Sequence, residues 1–201
     1  MSQTLGFESY AILVTGGGQL GFTFGTRGRK RRRGGRPPNG EIAGVSHLRR
    51  DPLKARLPVH VTWRMRDHVW NLRAKRCLGV IQRAFLVGRK DNFQVVHYAV
   101  MGNHVHMMVE ADDNRALSRG MQGLAVRVVC ALQQVMGKRG SVFKDRFHSR
   151  VLRSPTEVKY ARLYLLNNAR HHFAGPHPAV DHATSQTPVH PPRTWLVLRT
   201  C

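Results

Sequence analysis

The segment from Phe93 to Ala111 constrains the fold more than any other part of the sequence. It reads FQVVHYAVM, then Gly102-Asn103, then HVHMMVEA, so two stretches suited to β-strands flank a short turn. The first stretch carries β-branched and aromatic residues on both faces, which is typical of a strand inside a sheet. We therefore predict a β-hairpin through the centre of a sheet.

Hydrophobic spacing predicts most of the remaining elements. Apolar and polar residues alternate in LPVHVTWRMR, residues 57–66, which indicates a half-buried strand. Apolar residues recur at helical spacing in Asn71–Gly88 and again in Asn114–Gly137, where Gly137 is a plausible helix stop. The sequence thus predicts one helix before the hairpin and one after it.

A helix start is predicted at Ser154-Pro155-Thr156-Glu157, because this segment combines an N-cap serine, a proline at the first helical position and a capping-box glutamate. This third helix is predicted to end near His172. The ambiguous segment Ser141–Arg153 can supply a fourth strand. The resulting order predicts an α+β, ferredoxin-like (split βαβ) antiparallel sheet with helices on one face.

The chain carries a large positive charge, which limits the choice of partner. It has 33 Lys and Arg residues against 11 Asp and Glu, a net charge of +22. Without the seven basic residues of Arg27–Arg36, 26 basic residues against 11 acidic ones still leave +15. The excess therefore extends beyond one basic run, which favours a nucleic acid as the partner.

Composition also divides the chain. We predict a flexible leader and a basic Arg/Gly/Pro arm in residues 1–50, a folded domain in 51–175 and a Pro/His-rich tail or loosely docked segment in 176–201. Within the arm, Gly35-Arg36-Pro37 resembles the core of an AT-hook, although a general phosphate contact by Arg36 is favoured. We expect neither a signal peptide nor a membrane anchor.

Three scattered cysteines bear on the cellular compartment. Cys77, Cys130 and Cys201 show no CxxC pairing and no spacing typical of a disulfide framework. We expect reduced thiols in a cytoplasmic protein.

The hairpin also carries the first candidate site. His104 and His106 are two residues apart in a predicted strand, so they point the same way with backbones about 6.6 Å apart and can converge on one divalent ion. Val105, Met107 and Val109 then face the core beneath the helices. Because 12 of 201 residues are histidine, close to one His-x-His pair is expected by chance. Surface histidines that touch phosphate are therefore the alternative.

The third helix adds a tyrosine and an amide. Tyr160, Tyr164 and Asn168 follow one another at intervals of four and share a helix face. A phenol with an ordinary pKa near 10 is a poor nucleophile, but it can attack a phosphodiester that a divalent cation polarises. Helical spacing fits equally well with Tyr164 merely packing beside its neighbouring leucines.

Five segments, in order, resemble the single-tyrosine HUH transposases of the IS200/IS605 type, especially the REP-associated tyrosine transposases. They are PVHVTWRM, GNHVHMMVE, ALSRGMQGLA, KDRFHSRVL and YLLNNARHH, and the resemblance extends from about Arg31 to Phe173. It implies that His104 and His106 are the paired metal ligands, that Tyr164 is the nucleophile and that Asn168 is the third ligand. Tyr160 remains open as a second candidate for the nucleophile.

The resemblance implies a bacterial enzyme, cytoplasmic and associated with the nucleoid, with the HUH site on the sheet face opposite the helices. Such an enzyme nicks and transfers single-stranded DNA at hairpin or palindromic elements, forms a 5′-phosphotyrosine intermediate, uses Mg²⁺ or Mn²⁺ and is often a homodimer. A non-catalytic nucleic-acid-binding protein of the same fold, decayed or domesticated, is the alternative. A small protein with a structural metal site is less favoured, because cysteine ligands are missing from the pattern.

Basic residues provide candidate phosphate contacts beyond the proposed site. These are Arg36 in the arm, Arg64 and Arg66 on the first strand, Lys144, Arg146 and Arg150 near the fourth strand, and Arg170 after the nucleophile helix. His148 is a further candidate, although a structural, hydrogen-bonded histidine is the favoured interpretation there.

Overall fold

The computed structural model describes residues 50–55, 57–172 and 181–193, and the side chains of 169–172 are not described. The predicted leader and nearly all of the arm, including Arg36, lie outside these residues. So do Cys201 and the side chain of Arg170. The division into arm, domain and tail therefore stays a prediction.

In the part of the chain that the structure describes, four strands form one antiparallel sheet. They are β1 (Val59–Arg64), β2 (Phe93–Val100), β3 (His104–Ala111) and β4 (His148–Val151), in the spatial order β2-β3-β1-β4. The predicted hairpin is the β2–β3 pair, and β1 lies in the interior of the sheet beside β3. The predicted ferredoxin-like α+β fold is confirmed.

The described residues also form three helices: α1 (Lys75–Val87), α2 (Asn114–Met136) and α3 (Pro155–His172). The carboxylate of Asp113 accepts a hydrogen bond from the Ala116 N–H and starts α2, and Gly137 ends it in the left-handed conformation at φ 64°. Among the described helices, none is long and apolar enough to cross a bilayer.

The two faces of the sheet are covered by different helices. α1 and α2 pack together over one face, where Val61, Val105, Met107 and Val109 belong to the main core. This confirms the predicted inward direction of the three β3 residues. α3 lies on the other face, where Val158, Ala161 and Leu165 form a second, smaller core with residues of β2 and β3. The sheet face that carries the histidines is therefore partly covered by α3, so the prediction that the helices lie on one face is wrong for this helix.

Ser154 caps α3 as its sequence predicts. Its hydroxyl accepts a hydrogen bond from the Glu157 N–H at 3.2 Å. The Glu157 carboxylate in turn accepts a hydrogen bond from the backbone N–H of Arg153 at 2.6 Å, which is one residue earlier than in a standard capping box. The helix start is therefore fixed immediately after β4, and this start determines which residues of α3 face the sheet.

The fourth strand is shorter than the segment that predicted it. Only His148–Val151 pairs with β1 as a strand, while Phe143 makes an isolated bridge to Met65. Lys144 and Arg146 consequently lie in the connection before β4, and Arg153 follows it. Of the three basic residues predicted near this strand, Arg150 alone lies within it.

α2 approaches the sheet closely at Gly120. A methyl group placed on this residue would lie 2.1 to 2.6 Å from ring atoms of Phe93, which is itself completely buried. Glycine is needed here because the Phe93 ring occupies the space that a side chain would take. This contact sets the distance between α2 and the edge strand β2.

Residues 181–193 pack along the outer edge of β2. Val100 donates its N–H to the carbonyl of Ala183, and Ser185 and Val189 donate theirs to Tyr98 and Val96. Asp181 anchors the start of the segment through two hydrogen bonds from Arg73, at 2.6 and 3.1 Å. This part of the Pro/His-rich region therefore protects the backbone of an edge strand.

Candidate active site

Tyr164 and His106 meet on the sheet face that α3 covers. The Tyr164 hydroxyl lies 3.4 Å from Nε2 of His106, and the two rings meet edge to face with centroids 5.2 Å apart. His106 is buried in β3 and Tyr164 is half-buried on α3. Tyr160, one turn earlier, is 44% exposed, so Tyr164 is the tyrosine that α3 directs at the histidine pair.

His104 lies beside His106 with its ring nearly perpendicular, at a centroid distance of 4.9 Å. Nδ1 of His104 lies 2.8 Å from the side-chain oxygen of Asn103, the second residue of the hairpin turn. An amide oxygen can only accept, so Nδ1 carries the hydrogen and the lone pair of His104 is on Nε2. The strand geometry thus places both imidazoles on the predicted face.

Asn168 continues the buried stripe of α3 but is polar. It follows Val158, Ala161 and Leu165 at helical spacing and is fully buried. Within the described residues neither its Nδ2 nor its Oδ1 has a hydrogen-bond partner of ordinary geometry. A buried amide without partners costs free energy, so this position suits a group that an external ligand satisfies.

The environment of Tyr164 opposes ionisation. Burial raises the pKa of the phenol, and the nearby Asn168 amide lowers it in partial compensation. The phenol is therefore held neutral in the metal-free protein at physiological pH.

Strand β1 contributes two side chains for which no role was predicted. Thr62 faces His106 directly in the β1–β3 register, and its hydroxyl lies 3.1 Å from Nδ1 of His106. The His60 ring stacks on the His106 ring, with centroids 5.3 Å apart and an angle of 14°. Alternation along β1 placed both residues outward, but the register that brings them to His106 depends on tertiary pairing.

The donor atoms near the histidine pair determine which metal ion this site can hold. Among the described residues, no group of three or more His, Cys, Asp or Glu side chains is arranged to hold one. The candidate set instead combines two imidazoles with the orphaned amide of Asn168. Imidazole nitrogen and amide oxygen are both ligands for divalent cations, so the residues fit such an ion.

Basic side chains lie on this face of the sheet, to one side of the histidine pair. Arg64 pairs with His104 across β1 and β3, and Arg150 pairs with His60 across β1 and β4. Arg150 also lies 3.5 Å from the Glu157 carboxylate. His148 faces Thr62 from β4 and is exposed. These residues line one side of the histidine pair.

Three further predicted phosphate contacts lie outside the strands. Arg66 follows β1, is exposed and donates to the Ser141 hydroxyl at 3.2 Å. Lys144 is exposed and Arg146 is half-buried in the connection to β4. The structure thus gathers Arg64 and Arg150 beside the histidines and leaves these three near the end of β1 and before β4.

Comparison with known proteins supports the fold. The solved structure of a REP-associated tyrosine transposase bound to a REP hairpin matches with a TM-score of 0.52 at 16% sequence identity, over 64% of this chain and 74% of the other. No curated protein sequence matches. The fold and the site define an α+β protein with a ferredoxin-like sheet that carries a tyrosine against a histidine pair.

The family follows from the sequence itself. The model of the IS200-like transposases matches residues 54–167, more than half of the chain. The protein belongs to the IS200-like transposase family.

Proposed function

We propose that the protein is a nickase and strand transferase for single-stranded DNA at hairpin or palindromic elements in the bacterial nucleoid. Tyr164 is the proposed nucleophile, and His104, His106 and Asn168 are the proposed ligands of Mg²⁺ or Mn²⁺. The observation that carries the proposal is the 3.4 Å approach of the Tyr164 hydroxyl to Nε2 of His106. The solved transposase bound to a REP hairpin supports a hairpin as the substrate.

In the proposed reaction the Tyr164 oxygen attacks a DNA phosphorus atom. The bond from phosphorus to the 3′ oxygen breaks, which leaves a 5′-phosphotyrosine and a free 3′ hydroxyl. The phenol loses one proton and the departing oxygen gains one, so charge and protons balance. When bound, the divalent cation supplies Lewis-acid polarisation of the phosphate. Attack by a DNA 3′ hydroxyl on the phosphotyrosine would reverse the step and join strands.

Phosphate positioning is the proposed task of the basic residues. Arg64 and Arg150 flank the histidines, while Arg66, Lys144 and Arg146 extend the positive surface away from them. Arg36 and Arg170 are proposed contacts on the same chemical grounds. Because such contacts release counterions from DNA, we expect binding to weaken steeply with salt.

The test is a denaturing gel. Labelled single-stranded hairpins are incubated with the full chain and Mg²⁺ or Mn²⁺, and a covalent protein–DNA band is expected. Tyr164→Phe should lose the band. Tyr160→Phe is the matched control and should keep it, because Tyr160 is 44% exposed whereas the Tyr164 hydroxyl lies against His106. A band that survives in Tyr164→Phe would reject this nucleophile.

A second function, non-catalytic nucleic-acid binding, is favoured by the net charge of +22. It requires DNA binding that is salt-sensitive but indifferent to chelator, with no covalent band for any hairpin. The same samples distinguish the two functions. Light scattering of the full chain checks the homodimer that the family resemblance allows.

A further inference from the structure

We infer that Thr62 is a positioning residue that fixes the orientation and tautomer of His106 for ion binding. This inference rests on the proposed function, because it assigns Thr62 a role toward the proposed ion. Thr62 is buried in the interior strand β1, directly opposite His106, and its hydroxyl oxygen lies 3.1 Å from Nδ1. The contact is a buried hydrogen bond between two neighbouring strands.

The direction of this hydrogen bond follows from the other side of the ring. Nε2 of His106 lies 3.4 Å from the Tyr164 hydroxyl, which has a hydrogen to donate to this nitrogen. We infer that Nε2 is the acceptor, and Nδ1 then carries the ring hydrogen and donates it to the Thr62 hydroxyl. An imidazole that binds an ion through Nε2 needs this same tautomer.

His104 shows the same arrangement with a different partner. Its Nδ1 donates to the Asn103 oxygen at 2.8 Å, which leaves its lone pair on Nε2. Each imidazole thus has an oxygen partner on Nδ1, supplied by β1 in one case and by the hairpin turn in the other. Oxygen partners on the remote ring nitrogen of a histidine ligand are a recurring feature of protein metal sites.

Ring packing alone does not determine which of its two flipped orientations the His106 ring adopts. The His60 ring stacks on His106 at an angle of 14° and restricts the plane of the imidazole. A rotation of the ring by 180° about the Cβ–Cγ bond preserves its plane and the stack, but exchanges Nδ1 with Cδ2 and Nε2 with Cε1. The hydrogen bond to Thr62 distinguishes the two orientations, because the flipped ring would present a carbon to the hydroxyl.

The test compares Thr62→Val with Thr62→Ser in the full chain. Valine keeps the shape but removes the acceptor, and we expect the Mn²⁺ affinity, measured by electron paramagnetic resonance of the free ion, to fall about 10- to 100-fold. Serine keeps the hydroxyl and should stay within about threefold of wild type. Thr184→Val makes the same chemical change in the segment beside β2 and should leave the affinity unchanged.

A second readout does not depend on the ion. The ¹⁵N chemical shifts of His106 in metal-free protein report which ring nitrogen carries hydrogen, and Thr62→Val should shift them toward a mixture of tautomers. Unchanged shifts together with unchanged Mn²⁺ affinity in Thr62→Val would overturn the role of Thr62. A wild-type chain that binds no Mn²⁺ would instead overturn the metal part of the proposed function, and the ¹⁵N shifts would still decide the role of Thr62.

Discussion

The Tyr164 hydroxyl and Nε2 of His106 lie 3.4 Å apart, although 58 residues separate them in the chain. The approach depends on two independent placements. β3 directs His106 away from the main core, and the second core under α3 holds Tyr164 against that face. Neither element alone would create the pair.

Replacing Asn168 by leucine should change stability and ion binding in opposite directions. The amide is fully buried, and neither of its polar atoms has a hydrogen-bond partner among the described residues. Leucine of similar size removes this cost, so we expect metal-free protein to gain about 1 to 3 kcal/mol in denaturant unfolding. Mn²⁺ affinity should fall by at least about tenfold. A loss of metal-free stability in Asn168→Leu would show that the amide is satisfied in the folded protein.

Gly120→Ala should destabilise the fold by about 1 to 3 kcal/mol through overpacking. Its methyl group would lie 2.1 Å from the buried Phe93 ring, and α2 would have to move off the sheet. Gly79→Ala is the matched control: it lies within α1 with no atom within 4 Å of the added methyl group. That change should stabilise by about 0.5 to 1 kcal/mol. Chemical denaturation of both variants measures the difference, and equal effects would contradict the close packing at Gly120.

Asp181→Asn should loosen the segment that covers β2. Burial raises the pKa of Asp181, but hydrogen bonds from Arg73, Thr184 and the Ala183 N–H outweigh this, so the net pKa lies below its ordinary value. The carboxylate is therefore stabilised in the folded state, and the variant loses that contribution. We expect faster hydrogen exchange at the N–H groups of Ser185 and Val189, which bond to β2.

Asp51→Asn is the control for this experiment. It removes an ion pair with Arg153 whose two side chains are 78% and 68% exposed, and exposed pairs contribute little to stability. Hydrogen exchange beside β2 should stay at the wild-type rate. Equal protection of Ser185 and Val189 in both variants would show that Asp181 does not anchor the segment.

His97 should make the protein sensitive to acid. Burial, with a smaller contribution from Arg162, lowers the pKa of His97 from 6.5 to about 4, against a hydrogen bond from Ser185 that raises it. Between these values the unfolded chain binds more protons than the folded one, so stability falls as pH drops from 6.5 to 4. His97 contributes on the order of 3 kcal/mol to this loss.

The measurement is the free energy of unfolding at several pH values for wild type and His97→Gln. Glutamine does not titrate, so the variant should lose less stability across this interval. The difference between the two curves isolates His97 from the other histidines. Parallel curves would mean that His97 is free to take up a proton in the folded protein.

Local sequence patterns predicted which face of the sheet carries the site, but not which other elements contact the histidines there. Alternation in β3 separated His104 and His106 from the core residues, and Ser154 marked where α3 begins. The contact of Thr62 with His106 could not be predicted, because a strand register arises from pairing between distant segments. The position of α3 on the histidine face could not be predicted either, because helical spacing shows which residues share a face but not which residues that face contacts.

The packing of residues 181–193 against β2 could not be predicted from the local sequence either. Their composition is rich in Pro and His and shows little periodicity, yet backbone hydrogen bonds to β2 define their place. Such bonds use groups that every residue has, so side-chain patterns carry little information about them. The half-buried anchor Asp181 gave no recognisable signal because its partner Arg73 is 108 residues away.

The packing of residues 181–193 along the edge of β2 has a consequence for shortened versions of this protein. A chain cut before residue 181 would lose the partners of Val96, Tyr98 and Val100 and present an apolar strand with unsatisfied backbone groups. Exposed strands of this kind recruit one another into aggregates. Residues 181–193 thus act against self-association, and their removal should reduce the solubility of the protein while the contact between Tyr164 and His106 is retained.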